Sequence, residues 1–169
     1  MEEKPQFRVA DASQAELLLD FMWEFYAFNG HGYDRHKARA ALIPLLENPT
    51  LGRAWIILDG HSPVGYAVIC LGYSLEWLGR DAFIDEVYLR ESYRGRGWGK
   101  QTMSFLENAA RELGVRALHL GVMRGNPAVH LYEKVGFVRH ESTFLSKWIA
   151  QDLSKPLAPD RRDPNLLHK

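Results

Sequence analysis

The sequence predicts an α/β fold in which a mixed central sheet is flanked by helices. Two kinds of apolar pattern support this: short β-branched or aromatic runs, and longer runs with three- and four-residue spacing. They follow one another in the order β-α-α-β-β-β-α-β-α-β-β. Such alternation lets helices cover the faces of one sheet and share a core with it.

The composition is that of one globular domain. The chain has 169 residues, of which 46% are hydrophobic, which is enough for one core and too few for two. We expect residues 1–150 to form a single domain. Residues 151–169 contain three prolines and scattered charges, which predicts a mobile C-terminal tail.

Charge and cysteine content narrow the possible functions. The 21 basic residues balance 21 acidic ones, so nucleic-acid binding has no electrostatic support. No apolar run approaches the roughly 20 residues of a membrane span, and the first ten residues lack a signal-peptide pattern. The single Cys70 suits a reducing cytoplasm, and the seven histidines lack metal-binding spacing. We therefore expect a cytoplasmic protein with no nucleic-acid or membrane partner and no metal.

The first half of the chain predicts one strand, two helices and a hairpin. Ser13 and Glu16 have capping-box spacing before the first helix, and Pro44 predicts a kink or an early stop in the second. Residues 73–80 are expected to be a connector. The predicted elements are strand 7–10, helices 14–28 and 35–47, and strands 54–58 and 64–71.

The second half predicts two strands that alternate with helices and then a closing hairpin. Asn126-Pro127 is a favoured helix opening, with a cap followed by a proline in the first turn. The predicted elements are strand 83–89, helix 97–113, strand 117–122, a helix after Asn126, and hairpin strands 137–139 and 142–149.

A glycine-rich turn joins the strand at residues 83–89 to its helix. The turn reads Arg94-Gly95-Arg96-Gly97-Trp98-Gly99. Glycines permit positive φ and close approach, and a helix N-terminus attracts anions, so this pattern indicates a phosphate site. It is not a P-loop, because three residues instead of four separate Gly95 from Gly99-Lys100. A dinucleotide fingerprint also fails, because the glycines fall at every second position.

The same turn resembles the Q/R-x-x-G-x-G/A signature of the GNAT superfamily of N-acetyltransferases, as Arg94-x-x-Gly97-x-Gly99. A second block, Asn126 followed by Leu131-Tyr132-x-x-x-Gly136-Phe137, stands where that superfamily has its second motif. The resemblance covers residues 7–149. It implies a GNAT-like fold, acetyl-CoA as co-substrate, and transfer of an acetyl group to a primary amine by direct attack in a ternary complex.

The resemblance also implies which residues meet acetyl-CoA. The turn would hold its pyrophosphate, and the strand before it would pair with the amide-rich pantetheine arm. We expect Trp98 to pack beneath the loop, whereas Arg96 and Lys100 either meet the 3′-phosphate or are solvated. The expected cofactor-binding residues are Val87, Tyr88, Leu89, Arg94, Gly95, Arg96, Gly97, Trp98, Gly99, Lys100, Asn126 and Tyr132.

Three residues are candidates for proton chemistry. Asp85 and Glu86 are adjacent carboxylates on a strand and alternate faces; either one takes a proton from an ammonium substrate or forms a salt bridge. The residues alone do not choose between them. By resemblance, Tyr132 protonates the departing thiolate, and the alternative is a core tyrosine. Cys70 lies in an apolar strand, which favours core packing.

The acceptor side is expected near the end of the first helix. By resemblance, Trp23, Tyr26, Phe28 and Tyr33 line the acceptor pocket, and aromatic residues near acids suit a cationic amine. A polyamine, an aminoglycoside-like antibiotic, a peptide or a small metabolite all remain open as acceptors, as do a monomer and a homodimer. The alternative functions are a non-catalytic CoA-binding sensor or assembly module and a structural protein that kept the fold.

Overall fold

The computed structural model describes residues 4–123, 125–147 and 149. Within them, five strands form one sheet in the order β1-β2-β3-β4-β5, and helices cover its faces. None of the helices in this described part is long and apolar enough to cross a membrane. The strands are β1 (Gln6–Val9), β2 (Gly52–Asp59), β3 (Ser62–Ser74), β4 (Gly79–Leu89) and β5 (Ala117–Leu120). The helices are α1 (Ala15–Phe28), α2 (Arg35–Glu47), α3 (Trp98–Glu112) and α4 (Val129–Lys134).

The sheet is mixed, as the sequence predicts. Strands β1 to β4 pair antiparallel in sequence order, and β4 pairs parallel with β5. The predicted connector at residues 73–80 is wrong, because β3 and β4 pair through Ser74 and Gly79 and leave only a tight turn between them. The chain reverses direction within residues 75–78, and Leu78 in this turn has a left-handed φ of 57°.

Two cores lie on opposite faces of the sheet. Helices α1 and α2 pack on one face, where their Leu18 and Phe21 meet Ile56 and Tyr66 of the strands. Helix α3 packs on the other face, where its Met103 and Leu106 belong to a second cluster. Because side chains alternate along a strand, the cluster to which a residue belongs shows the face on which it lies.

Helix α2 spans Arg35–Glu47, as predicted. Of the two effects expected of Pro44, a kink or an early stop, the early stop is wrong. The helix continues to Glu47, and the Asn48 amide donates to the Pro44 carbonyl at 3.0 Å. Pro44 lies in the last turn, where the helix loses one hydrogen bond and few residues follow. The start is fixed by Asp34, whose side chain accepts from the Lys37 amide at 3.1 Å.

The element order agrees with the prediction through α4, but residues 137–147 and 149 form no strand within the described part of the chain. The predicted closing hairpin is therefore not found there. A segment with β-branched and aromatic residues becomes a strand only when a neighbouring strand pairs with it through hydrogen bonds. Here Phe144 and Leu145 are 79% and 86% exposed, and among the described residues no strand pairs with this segment. Residues 151–169, which are expected to form a tail, lie outside the described residues. The expected end of the domain, residue 150, lies outside them too.

Candidate functional site

Strand β4 changes its pairing at Asp85. Val68 of β3 faces Glu86, while the next residue, Ile69, faces Ile84, so Asp85 is an extra residue in a β-bulge. On the other side, β5 pairs with β4 only as far as Ile84. From Asp85 to Leu89, β4 runs on without β5 beside it. The bulge thus lies at the point where the two parallel strands part and one edge of β4 becomes accessible.

The glycine-rich turn lies just beyond the end of β4 and opens α3. Gly95 and Gly97 have φ values of 71° and 81°, a left-handed region that other residues enter only with strain. The first intrahelical bond runs from the Gln101 amide to the Gly97 carbonyl. The amides of residues 98–100 therefore have no helical acceptor and make an anion-binding end.

Arg94 holds this turn in place. Its Nε donates to the Leu89 carbonyl at 2.7 Å, and its guanidinium lies 4.0 Å from the centre of the Phe28 ring. The side chain therefore joins α1, β4 and the turn. Phe28, expected in the acceptor pocket, lies here beside Arg94. That Arg94 contacts the cofactor stays a prediction.

The remaining turn residues differ in exposure. Trp98 is buried beneath the loop with Ile57, Val64 and Leu89. Arg96 and Lys100 are exposed at the mouth of the turn. A Cβ on Gly99 would lie 3.1 Å from Leu131 of α4, so this glycine allows the two helices to approach closely.

The adjacent carboxylates of Asp85 and Glu86 have different surroundings. Glu86 is only 9% exposed and accepts a 2.7 Å hydrogen bond from the Tyr66 hydroxyl. Tyr26 of α1 lies close to the same carboxylate. Burial raises the pKa of Glu86, the two tyrosines oppose this, and the charge of Asp85 adds to it. Asp85 at the bulge is more exposed, and partial burial raises the pKa of its carboxyl.

Tyr132 lies on α4, on the face of the sheet covered by α3. Its ring is half-buried and stands edge-on to Phe137, with centroids 6.2 Å apart. Within the described residues its hydroxyl has no hydrogen-bond partner, and burial raises its pKa. Asn126 caps the turn before α4, because its Oδ1 accepts from the Ala128 amide at 2.9 Å. Cofactor contacts of Tyr132 and Asn126 stay predictions.

The expected acceptor residues do not all converge. Tyr26 and Tyr33 lie 5.8 Å apart by ring centroids, close to Glu86, and burial raises the pKa of Tyr33 to about 12. Trp23 is largely exposed. Of the acids nearby, Glu24 binds Arg90 and is therefore already paired. Tyr66 could not be recognised as a site residue from the sequence, because its contact with Glu86 depends on a strand register that no local pattern reveals.

The model of the acetyltransferase (GNAT) family matches residues 15–137 of this chain. The uncharacterized N-acetyltransferase YycN of Bacillus subtilis (strain 168) is 44% identical over 59 residues, which is 34% of this chain and 38% of that protein. The thialysine N-epsilon-acetyltransferase of Bos taurus is 32% identical over 79 residues, 46% of each chain. These matches span less than half the length of the curated relatives.

Solved structures extend the likeness over most of the chain. Integron cassette protein HFX_CASS3, from the mobile metagenome of Cole Harbour Salt Marsh, has a TM-score of 0.77 and 32% identity, covering 90% of this chain and 93% of its own. A predicted acetyltransferase with acetyl-CoA from Clostridium acetobutylicum has a TM-score of 0.72 and 20% identity, covering 85% and 96%, and so shares the fold. Since the family model spans the bulged strand, the glycine turn and α4 together, this chain belongs to the acetyltransferase (GNAT) family.

Proposed function

We propose that this protein is an N-acetyltransferase that moves an acetyl group from acetyl-CoA to a primary amine by direct attack in a ternary complex. The observation that carries the proposal is the buried Glu86 carboxylate, held by Tyr66 where β4 parts from β5, on the strand that leads into the glycine-rich turn and the N-terminus of α3. A base and a phosphate site at one strand end are what acyl transfer from a CoA thioester requires.

The α3 end of the site would take the pyrophosphate of acetyl-CoA. The amides of residues 98–100 and the helix dipole provide the positive potential, and Gly95 and Gly97 leave the backbone free of side chains there. The uncovered edge of β4 at Val87 and Tyr88 would pair with the pantetheine amides in the manner of an added strand. The fold neighbour from Clostridium acetobutylicum, solved with acetyl-CoA, supports this choice of co-substrate.

Glu86 is the base in this scheme. An ammonium substrate gives a proton to Glu86, and the neutral amine then attacks the thioester carbonyl to form the new C–N bond. A backbone amide of β4 beside the bulge would hold the developing oxyanion. A carboxyl whose pKa is raised by burial is a stronger base than a solvated one, while the Tyr66 hydrogen bond fixes its direction. Asp85, the more exposed acid, would attract the cationic acceptor.

Tyr132 completes the reaction. When the C–S bond breaks, the sulfur leaves as a thiolate and takes a proton from the Tyr132 hydroxyl; the excess proton on the nitrogen passes to solvent. The phenol hydroxyl of Tyr132 is the proton donor that this step needs, and it has no hydrogen-bond partner within the described residues. Before the next cycle Tyr132 regains its proton from solvent, and Glu86 releases to solvent the proton that it took from the ammonium group. We place the reaction in the cytoplasm, where the single Cys70 stays reduced.

Amine-dependent release of CoA from acetyl-CoA, measured with a panel of primary amines, tests this function. We expect turnover with at least one aliphatic amine, a class to which thialysine, named in the bovine relative, belongs. Ligand-induced stabilisation by acetyl-CoA with no turnover on any amine would instead support a non-catalytic CoA-binding module. No stabilisation and no turnover would contradict both.

A further inference from the structure

Two arginines that follow β4 contact the last two turns of α1. Arg90 and Arg94 are four residues apart, and so are their partners on α1, Glu24 and Phe28. Four residues are about one helical turn, so both partners lie on the same side of α1. The two contacts therefore join the C-terminal half of α1 to the segment that leads into the glycine-rich turn.

The first of these contacts is held by several hydrogen bonds. The Arg90 guanidinium donates to both carboxylate oxygens of Glu24, over distances of 2.7 to 3.3 Å, and to the Pro63 carbonyl at 3.3 Å. It also lies 4.9 Å from the centre of the Phe21 ring. A bidentate pair with further contacts holds both side chains in one orientation, so Glu24 anchors α1 one turn before its end.

The second contact depends on orientation alone. Phe28 is the last residue of α1 and is 65% exposed, yet the centre of its ring lies 4.0 Å from the Arg94 guanidinium. The Tyr88 ring lies 5.4 Å from the same guanidinium. A phenylalanine ring offers no hydrogen bond, so Phe28 stays in contact only while the flat face of the guanidinium is turned toward it.

The Arg94 guanidinium can bind an anion while Phe28 covers its face. Its Nε donates to the Leu89 carbonyl at 2.7 Å, and within the described part of the chain its two Nη atoms have no hydrogen-bond partner. A guanidinium donates to phosphate through its edge and packs on aromatic rings through its face. A phosphate on the Nη atoms and the Phe28 ring therefore do not compete for Arg94.

The end of α1 also lies beside the expected acceptor site. Tyr26, two residues before Phe28, lies close to Glu86, and its ring centroid is 5.8 Å from that of Tyr33. The His31 amide donates to the Tyr26 carbonyl at 2.9 Å, which attaches the loop after α1 to the same helix end. A shift of Phe28 would therefore also move the tyrosines beside Glu86.

We propose that Phe28 is a positioning residue that couples the two substrate sites: through its contact with Arg94, binding of a pyrophosphate at the glycine-rich turn orders the end of α1 beside the acceptor. This inference rests on the proposed function, which places the pyrophosphate of acetyl-CoA at that turn. An anion on Arg94 fixes the guanidinium plane, so Phe28 then packs on it at a smaller cost in conformational entropy. Linkage makes the effect reciprocal, so Phe28 strengthens cofactor binding by the same factor.

Hydrogen exchange with and without CoA tests this coupling and needs no acceptor. In wild type, we expect CoA to slow exchange at the end of α1, where the Asn29 and Gly30 amides donate to helix carbonyls. Phe28→Leu stays apolar but loses the ring face, so this slowing should disappear. CoA should also bind Phe28→Leu about 2–5-fold more weakly, the range of one exposed cation–π contact. Phe28→Tyr keeps the ring and should keep both properties.

Tyr73→Leu is the matched control, because Tyr73 is 77% exposed on β3 and its ring contacts no arginine within the described residues. It should change neither CoA affinity nor exchange at the end of α1. A purely structural role for Phe28 predicts that Phe28→Leu melts at a lower temperature while CoA still slows exchange there.

The outcomes separate the coupling from the function on which it rests. If CoA binds the wild-type protein but does not slow exchange at the end of α1, the coupling is wrong and the proposed cofactor site stands. The same holds if CoA slows this exchange equally in wild type and Phe28→Leu. A wild-type protein that does not bind CoA would overturn the proposed function, and the coupling with it.

Discussion

The Tyr66 hydroxyl donates a 2.7 Å hydrogen bond to Glu86 Oε2, across two neighbouring strands. The contact exists because the bulge at Asp85 places Glu86 opposite Val68, one diagonal step from Tyr66 on the same face. If β4 alternated regularly through Asp85 without the bulge, Glu86 would point to the same face as Ile84, the α3 side. The bulge therefore decides which of the two adjacent acids is buried beside a hydrogen-bond donor and which is left exposed.

Glu86→Gln should lower turnover by about 10²–10⁴, because the amide cannot accept a proton. Acetyl-CoA binding should be unchanged, and raising the pH should restore part of the rate because more acceptor is then neutral. Asp85→Asn is the matched control and should cost much less. Steady-state rates from pH 6 to 10 for both variants measure this. Equal losses in the two variants would contradict the assignment of Glu86 as base.

The same substitution should have a pH-dependent effect on folding. Burial raises the folded-state pKa of Glu86, so between its unfolded and folded pKa values the folded state binds more protons than the unfolded state. The contribution of Glu86 to stability is therefore greatest below the unfolded pKa and falls as pH rises through the folded pKa. We expect Glu86→Gln to gain stability relative to wild type as pH rises, measured by urea unfolding. A difference that does not vary with pH would contradict a raised pKa.

Tyr66→Phe should move the acid limb of the pH profile of kcat/KM. The hydrogen bond from Tyr66 lowers the pKa of Glu86, so its removal should raise that pKa further. Because the base acts when deprotonated, the rate should begin to fall at a higher pH than in wild type. Tyr73→Phe, at an exposed tyrosine of β3, is the control and should leave the profile in place. An unshifted limb in Tyr66→Phe would mean that Glu86 does not set it.

Gly97→Asp should abolish the stabilisation that acetyl-CoA gives the wild type. That stabilisation should be about 2.7 kcal/mol at a ligand concentration of 100 times Kd. The variant adds a carboxylate where we propose that the pyrophosphate binds, at a residue with a φ of 81°. Gly114→Asp is the matched control, because Gly114 also has a positive φ, of 73°, and follows the other end of α3. Gly114→Asp should be destabilised by a similar strain, yet acetyl-CoA should still raise its melting temperature. If acetyl-CoA raises the melting temperature of Gly97→Asp as much as that of wild type, the cofactor binds elsewhere.

Tyr132→Phe should lower kcat while leaving acetyl-CoA affinity and folding nearly unchanged. Its hydroxyl has no partner in the described part of the chain, so its removal should cost less than the usual 0.5–1.5 kcal/mol of a hydrogen bond. The lost interaction belongs to the transition state. We propose to measure kcat and the unfolding midpoint on one preparation. Normal turnover in the phenylalanine variant would remove Tyr132 from the general-acid role.

Local sequence patterns were sufficient to predict some features of the fold and the site. The glycines of residues 94–99 and the helical spacing after them predict the turn and α3, because each depends on neighbours in sequence. The hairpin of β2 and β3 is likewise predicted by the turn residues between them. Pro44 shows the limit of this reasoning, since a helix can continue past a proline in its last turn.

Features that depend on strand register could not be predicted from the sequence. Simple alternation assigns Asp85 and Glu86 to opposite faces but does not reveal the bulge, which fixes Glu86 beside Tyr66. Asp81 precedes the strand that the sequence predicts, and its approach to His119 follows from parallel pairing of β4 with β5. Residues 137–149 contain the β-branched and aromatic residues that are common in strands, yet pairing with a neighbour decides whether a strand forms.

The central claim is direct transfer from acetyl-CoA to the amine while both are bound. Initial rates of CoA release, measured while both substrates are varied, test it most directly. A ternary complex predicts double-reciprocal lines that intersect, and no CoA release when the amine is absent. Parallel lines, with a burst of CoA from the protein alone, would contradict the claim, because they indicate an acetylated protein intermediate.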